Sequence, residues 1–116
     1  MNELFEETRN TYPTLDETLK HVQVGNVIQD SDRTNKVLTK SFVKNPDRTY
    51  HIEIEIESYT APWKTTNTID MDEVHVWAQP GDFIVFSDNR RNVVKSKTVI
   101  KQGGSYESMI ELDSVQ

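Results

Sequence analysis

Asp70, Asp72 and Glu73 form the densest carboxylate cluster in this chain of 116 residues, and acid–base or metal-assisted chemistry would be sought there first. Paired carboxylates do such work when their surroundings split their pKa values. At the mouth of a turn they more often only solvate it, so no catalysis is assigned to them. The three histidines, His21, His51 and His75, stand far apart without HxH or HxxxH spacing, which argues against zinc. The chain has no cysteine, which removes thiol nucleophiles, zinc ribbons and disulfides. No serine lies in a nucleophile-elbow sequence, and the one glycine pair, Gly103-Gly104, precedes a strand-like segment rather than the helix of a phosphate loop. The expectation is a chain without catalytic residues, cofactor or metal, leaning away from an enzyme.

Charge offers two further candidates. Glu53, Glu55 and Glu57 alternate with Ile52, Ile54 and Ile56, which puts three carboxylates on one strand face. Alternate strand residues lie ~6.5–7 Å apart, too far for two of them to hold one calcium without a third ligand. The ladder therefore reads as a solvated face, or as an acidic docking face. Arg90, Arg91, Lys95, Lys97 and Lys101 form a basic strip with no acid between residues 89 and 101. Residues 1–22, by contrast, carry five acids against Arg9 and Lys20. The strip could bind a phosphate or an acidic surface, with Trp77 or Phe86 as a stacking platform, or pair with the chain's own acidic N-terminal segment. The overall net charge of −6 disfavours nucleic acid, because the long-range field repels phosphate.

These residues need a scaffold, and the length allows one domain over residues 1–116. Hydrophobic residues are 34% of the chain, but they fall in short alternating runs as a sheet requires. A helical segment is expected over residues 1–22: Asn2 caps a first turn with Leu4 and Phe5, Pro13 interrupts, and Thr14 to Glu17 form a capping box for a helix over 14–22. A β-rich body over 23–112 follows, with a strand at Gln23 to Ile28 and a turn-rich loop at 29–35. Lys36 to Val43 and Tyr50 to Glu57 then make a hairpin. A four-residue loop at 45–48 sets a register in which Lys40 faces Glu53 and Lys36 faces Glu57. Residues 59–67 read as loop or edge. Trp63 there either caps the core through its indole N–H, the preferred reading, or stands out as a recognition aromatic. Thr68 to Glu73 reads as a short strand ending in a turn, and Val74, Val76 and Ala78 as another strand. The run from Phe83 to Phe86 is apolar on both faces and reads as central. Strands at Asn92 to Ile100 and Tyr106 to Leu112 complete an α+β fold: a short helical N-terminus packed on an antiparallel sheet, or partly closed small barrel, of six or seven strands.

The stretch Ala78-Gln79-Pro80-Gly81-Asp82-Phe83-Ile84-Val85, followed by Ser105-Tyr106-Glu107, resembles a module of small uncharacterised bacteriophage and prophage proteins over residues 65–107. The same Pro-Gly-Asp strand entry is similar to that of RNA-binding PUA-like and ASCH barrels. The first resemblance implies a phage-type accessory factor, of the host-takeover or anti-defence kind, acting in the cytoplasm of a bacterial host. The second implies RNA or nucleotide binding through the basic strip.

The acidic N-terminus lacks the apolar stretch of a signal peptide, and no run approaches the ~18 apolar residues of a membrane span. Absence of cysteine fits a reducing cytoplasm. The expected activity is therefore binding of another macromolecule, a different protein or a second copy of the chain. The partner-facing candidates are Arg90, Arg91, Lys95, Lys97, Lys101, Trp63 and Trp77, with Glu53, Glu55 and Glu57 as an acidic face.

Overall fold

The computed structural model describes residues 9–115. The turn expected around Asn2, Leu4 and Phe5 lies outside the described residues, as do Glu3, Glu6 and Glu7. The described chain runs α1 (Leu15–His21), β1 (Val27–Asp30), β2 (Arg33–Lys44), β3 (Tyr50–Ile56), β4 (Trp63–Lys64), α2 (Met71–Trp77), β5 (Phe83–Val85), β6 (Arg91–Gln102) and β7 (Ser105–Val115). It is an α+β fold built on one open sheet in the order β4-β3-β2-β5-β6-β7, with β1 paired to β2.

The expected all-antiparallel sheet is corrected to a mixed one, because β5 lies parallel to β2, with Phe42 beside Ile84. A parallel neighbour needs a crossover, and residues 57–82, including α2, supply it. No barrel closes: β4 and β7 end the order without pairing to each other.

Thr14 caps α1 as its capping box requires, its hydroxyl accepting from the Glu17 N–H at 3.1 Å. The next segment departs from expectation. Residues 23–26 turn, with Gly25 at φ 92°, and the first strand begins only at Val27. The expected loop at 29–35 is instead a tight hairpin, with Asp30 paired to Arg33 and Ser31 at φ 57°.

The β2–β3 hairpin forms, but one residue out of the expected register. Its loop holds five residues, so Lys44 pairs with Tyr50, Phe42 with Ile52 and Lys40 with Ile54. A bulge between Val37 and Thr39 then restores the expected Val37–Ile56 pair. The slip places Phe42 in the core and carries Lys40 in beside it, while Leu38 turns out to water. The expected Lys40–Glu53 pair is therefore absent: Ser41 stands opposite Glu53.

Residues 71–77 are helical, which corrects the strand read over 74–78. Asp70 is the N-cap and accepts from the Glu73 N–H at 2.9 Å, while Asp72 and Glu73 occupy the positive end of the helix. Met71, Val74 and Ala78 face the core at helical spacing, and Val76 points outward at 53% exposure. β5 is central in the sheet, as its two-faced apolar run requires. The Pro80-Gly81-Asp82 entry works as a turn: Gly81 takes φ 97°, and Asp82 Oδ2 accepts from the Gln79 N–H at 2.9 Å.

Candidate functional site

The basic strip does not converge. β6 spreads its cations over about 33 Å from Arg91 to Lys101, and the bulge leaves Arg91 on the face opposite to Lys97 and Lys101. Arg90 is held by Asp88 at 2.7 Å and lies over the Phe86 ring, and Arg91 lies 4.1 Å from the Phe83 ring centre. Lys95 sits at a bulge between Val94 and Ser96. Lys97 donates to the Val76 carbonyl at 2.7 Å, and Lys101 lies 5.9 Å from the Tyr106 ring centre. Asp16 and Glu17 do not reach the strip. Asp16 accepts from the Thr66 and Asn67 N–H groups, which holds its carboxyl below the usual range against its desolvation, and Glu17 pairs with Lys20.

The aromatic candidates are committed to packing. Trp77, half-buried at the end of α2, meets the edge of His21, which in turn stacks on Tyr12. Trp63 packs on the core with its ring 5.4 Å from Tyr59.

The glutamate ladder is also partnered. Glu55 accepts from the Thr39 hydroxyl at 2.6 Å, and Glu57 accepts from the backbone N–H of Lys36 rather than from its ammonium. Glu53 meets His51 Nε2 at 2.6 Å and Lys64 Nζ at 3.9 Å. Asn45 donates through Nδ2 to the Thr49 hydroxyl, which fixes its carbonyl oxygen toward His51 Nδ1 at 2.7 Å. His51 therefore faces an oxygen acceptor at each ring nitrogen, and neither is left for a substrate. Asp70 caps α2 and Glu73 pairs with Lys20, so that cluster serves the helix. Among the described residues no group of three or more histidines and carboxylates could hold a metal.

What the molecule presents instead is a projecting arm. Only Arg91, Asn92 and Val93 of β6 pair with β5; Val94, Ile110 and Leu112 still pack on the core and Lys97 bonds to α2, and past them the hairpin projects as two strands. The Cα radius of gyration is 16.2 Å, against about 13 Å for a compact chain of this length. Gly103, at φ 60°, supplies the first position of its two-residue tip.

The pairing sorts the arm's side chains onto two faces. Lys97 with Ile110, Val99 with Ser108, and Lys101 with Tyr106 share the core-side face, continuous with buried Val94 and its partner Leu112. Ser96 with Glu111, Thr98 with Met109, and Ile100 with Glu107 share the outer face. Val99 is 61% exposed, Tyr106 66% and Met109 53%. A groove of about 540 Å³ lies between the arm and α2, lined by Val76, His75, Asp72, Tyr106 and Met109 among others.

None of Val76, Val99, Tyr106 or Met109 was among the contact candidates read from the sequence. The available signal was length: the strands read over residues 92–100 and 106–112 outlast the four-residue run at 83–86 that they must pair with. No helix among the described residues is long and apolar enough to cross a membrane. No family model matches the chain, and neither a curated protein nor a solved structure matches it.

Proposed function

We propose that this chain is a binding protein whose contact surface is the β6–β7 arm with the groove against α2, and that its partner is another protein. The observation that carries this reading is the apolar exposure found there: Val99, Tyr106 and Met109 on the projecting piece and Val76 on the facing side of α2 stand open and add nothing to the core. Exposed large apolar groups set among charges are the usual mark of a protein interface. RNA binding through the basic strip is the weaker reading, since its five cations are spread along one strand and four of them have local partners. An open sheet also offers no barrel for a PUA-type site. On the phage-type resemblance, the partner is a protein of the host cytoplasm.

A photo-crosslinking residue at Tyr106 or Met109, with Glu55 as the control position, tests the surface in cells. A discrete adduct from the arm and none from Glu55 is expected. Equal labelling from all three positions, or none from any, overturns the reading.

A further inference from the structure

The sheet's free edges are defended unequally. β4 is two residues long and β1 four, too short to template another strand. The distal edge of β6 carries a bulge at Lys95 and the lysines 97 and 101, features that discourage pairing. β7 has none of these. Its 11 residues contain no proline, lysine or arginine, and the register shift in its pairing with β6 places the extra residue in β6. Along this edge Glu107, Glu111 and Asp113 share the outer face with Met109, while Tyr106, Ser108, Ile110 and Leu112 share the other.

We propose that the outer edge of β7 receives an added β-strand from a different protein, a segment carrying Lys or Arg at alternate positions with apolar residues between. This rests on the arm being the contact surface and names the mode and the chemistry of its partner. Strand addition satisfies the N–H and C=O row of an edge that no strand among the described residues pairs with, and alternate side chains set specificity. Directly opposed cross-strand pairs of opposite charge stabilise, and like charges repel. A basic strand therefore fits the face bearing Glu107, Glu111 and Asp113.

A second copy fits less well. Its β7 would bring the same three acids from each strand together. Its β6, continuing the sheet antiparallel, would set Ser96, Thr98 and Ile100 on the acidic side, because lysines 97 and 101 lie on the other face.

The probe is the peptide Ser-Lys-Val-Lys-Val-Thr-Val-Lys-Ser, whose lysines fall opposite Asp113, Glu111 and Glu107 in an antiparallel pairing. Binding is expected to protect the β7 amides from hydrogen exchange, and to weaken about fivefold or more in Glu111→Lys. N-methylation of the peptide at alternate residues is expected to abolish binding in one phase and spare it in the other, a readout that needs no protein variant. Equal effects in both phases, or equal binding by the glutamate-for-lysine peptide, overturn the proposal. So does a peptide-free dimer with protected β7 amides, which would make the occupant a second copy. If the peptide fails while the arm still crosslinks to a discrete protein, strand addition falls and the contact surface stands. If both fail, both readings fall.

Discussion

Lys40 carries a charge into a layer otherwise built from Phe42, Ile52 and Ile54, with no exposed surface of its own. Its ammonium donates at 2.9 Å to the carbonyls of Lys20 and Val22, at the negative end of α1, and so ties that helix to the sheet. Burial lowers its pKa to about 8, against the pull of Asp82. Burial likewise raises Asp82 to about 6, opposed by the Gln79 N–H, Lys40 and Lys97. The signs follow from linkage. Asp82 is protonated more readily folded than unfolded, so the stability it contributes is present below pH 3.8 and is lost as pH rises through 6. The stability from Lys40 is present above pH 10.5 and lost as pH falls through 8. Between 6 and 8 both charges are held at a loss. Asp82→Asn is therefore expected to gain on the wild type by about 2 kcal/mol between pH 4 and 7, measured as the difference of urea-unfolding free energies. Asn35 is a second residue held at a loss: it is 1% exposed, and neither its amide nitrogen nor its oxygen has a hydrogen bond. Asn35→Leu is expected to raise stability by about 1–3 kcal/mol in the same measurement. The burial of Lys40 and of Asn35 was not legible in the sequence, because a polar residue in an alternating strand reads as wet until the register is known. Phe42 held the missing information. The expected register left it on the wet face, and the slip that buries it also buries Lys40.

At the scale of elements, α2 depends on local chemistry more than on its length of seven residues. Asp70→Ala removes its N-cap and is expected to lower the midpoint of thermal unfolding by an amount equivalent to about 1 kcal/mol. The same spacing that revealed α1, a capping residue followed three positions later by Glu, is present at Asp70 and Glu73. It was masked by the alternation of Val74, Val76 and Ala78, which fits a strand of period two as well as a helix with Val76 outside. Both helices, the central place of β5 and the final hairpin rest on signals a few residues apart, and most of those could be read. The parallel β2–β5 contact could not, since it depends on where a 26-residue crossover returns and on nothing in either strand. The arm's role was hidden for a related reason: exposure is a property of absent neighbours, which a strand's own residues do not record.

The molecule as a whole is a body with an appendage. Deleting residues 98–109 and joining Lys97 to Ile110 through Gly-Gly should leave the body folded, because those two residues already face each other. Its calorimetric midpoint is expected to stay within a few degrees of the full chain, while crosslinking and peptide binding disappear. The parallel joint has a further consequence, in time rather than in space. Arm contacts link residues near in sequence and form on the ~1–10 μs scale of hairpins. The joint of residues 41–43 to 83–85 must wait for some 40 residues to close. Ile84→Val is accordingly expected to slow folding in stopped-flow measurements, whereas Val99→Ala leaves that rate unchanged. Like the β1–β2 and β2–β3 hairpins, the arm can form before the joint closes, and the outer edge of β7 is then offered to a strand nearby while the body is still incomplete.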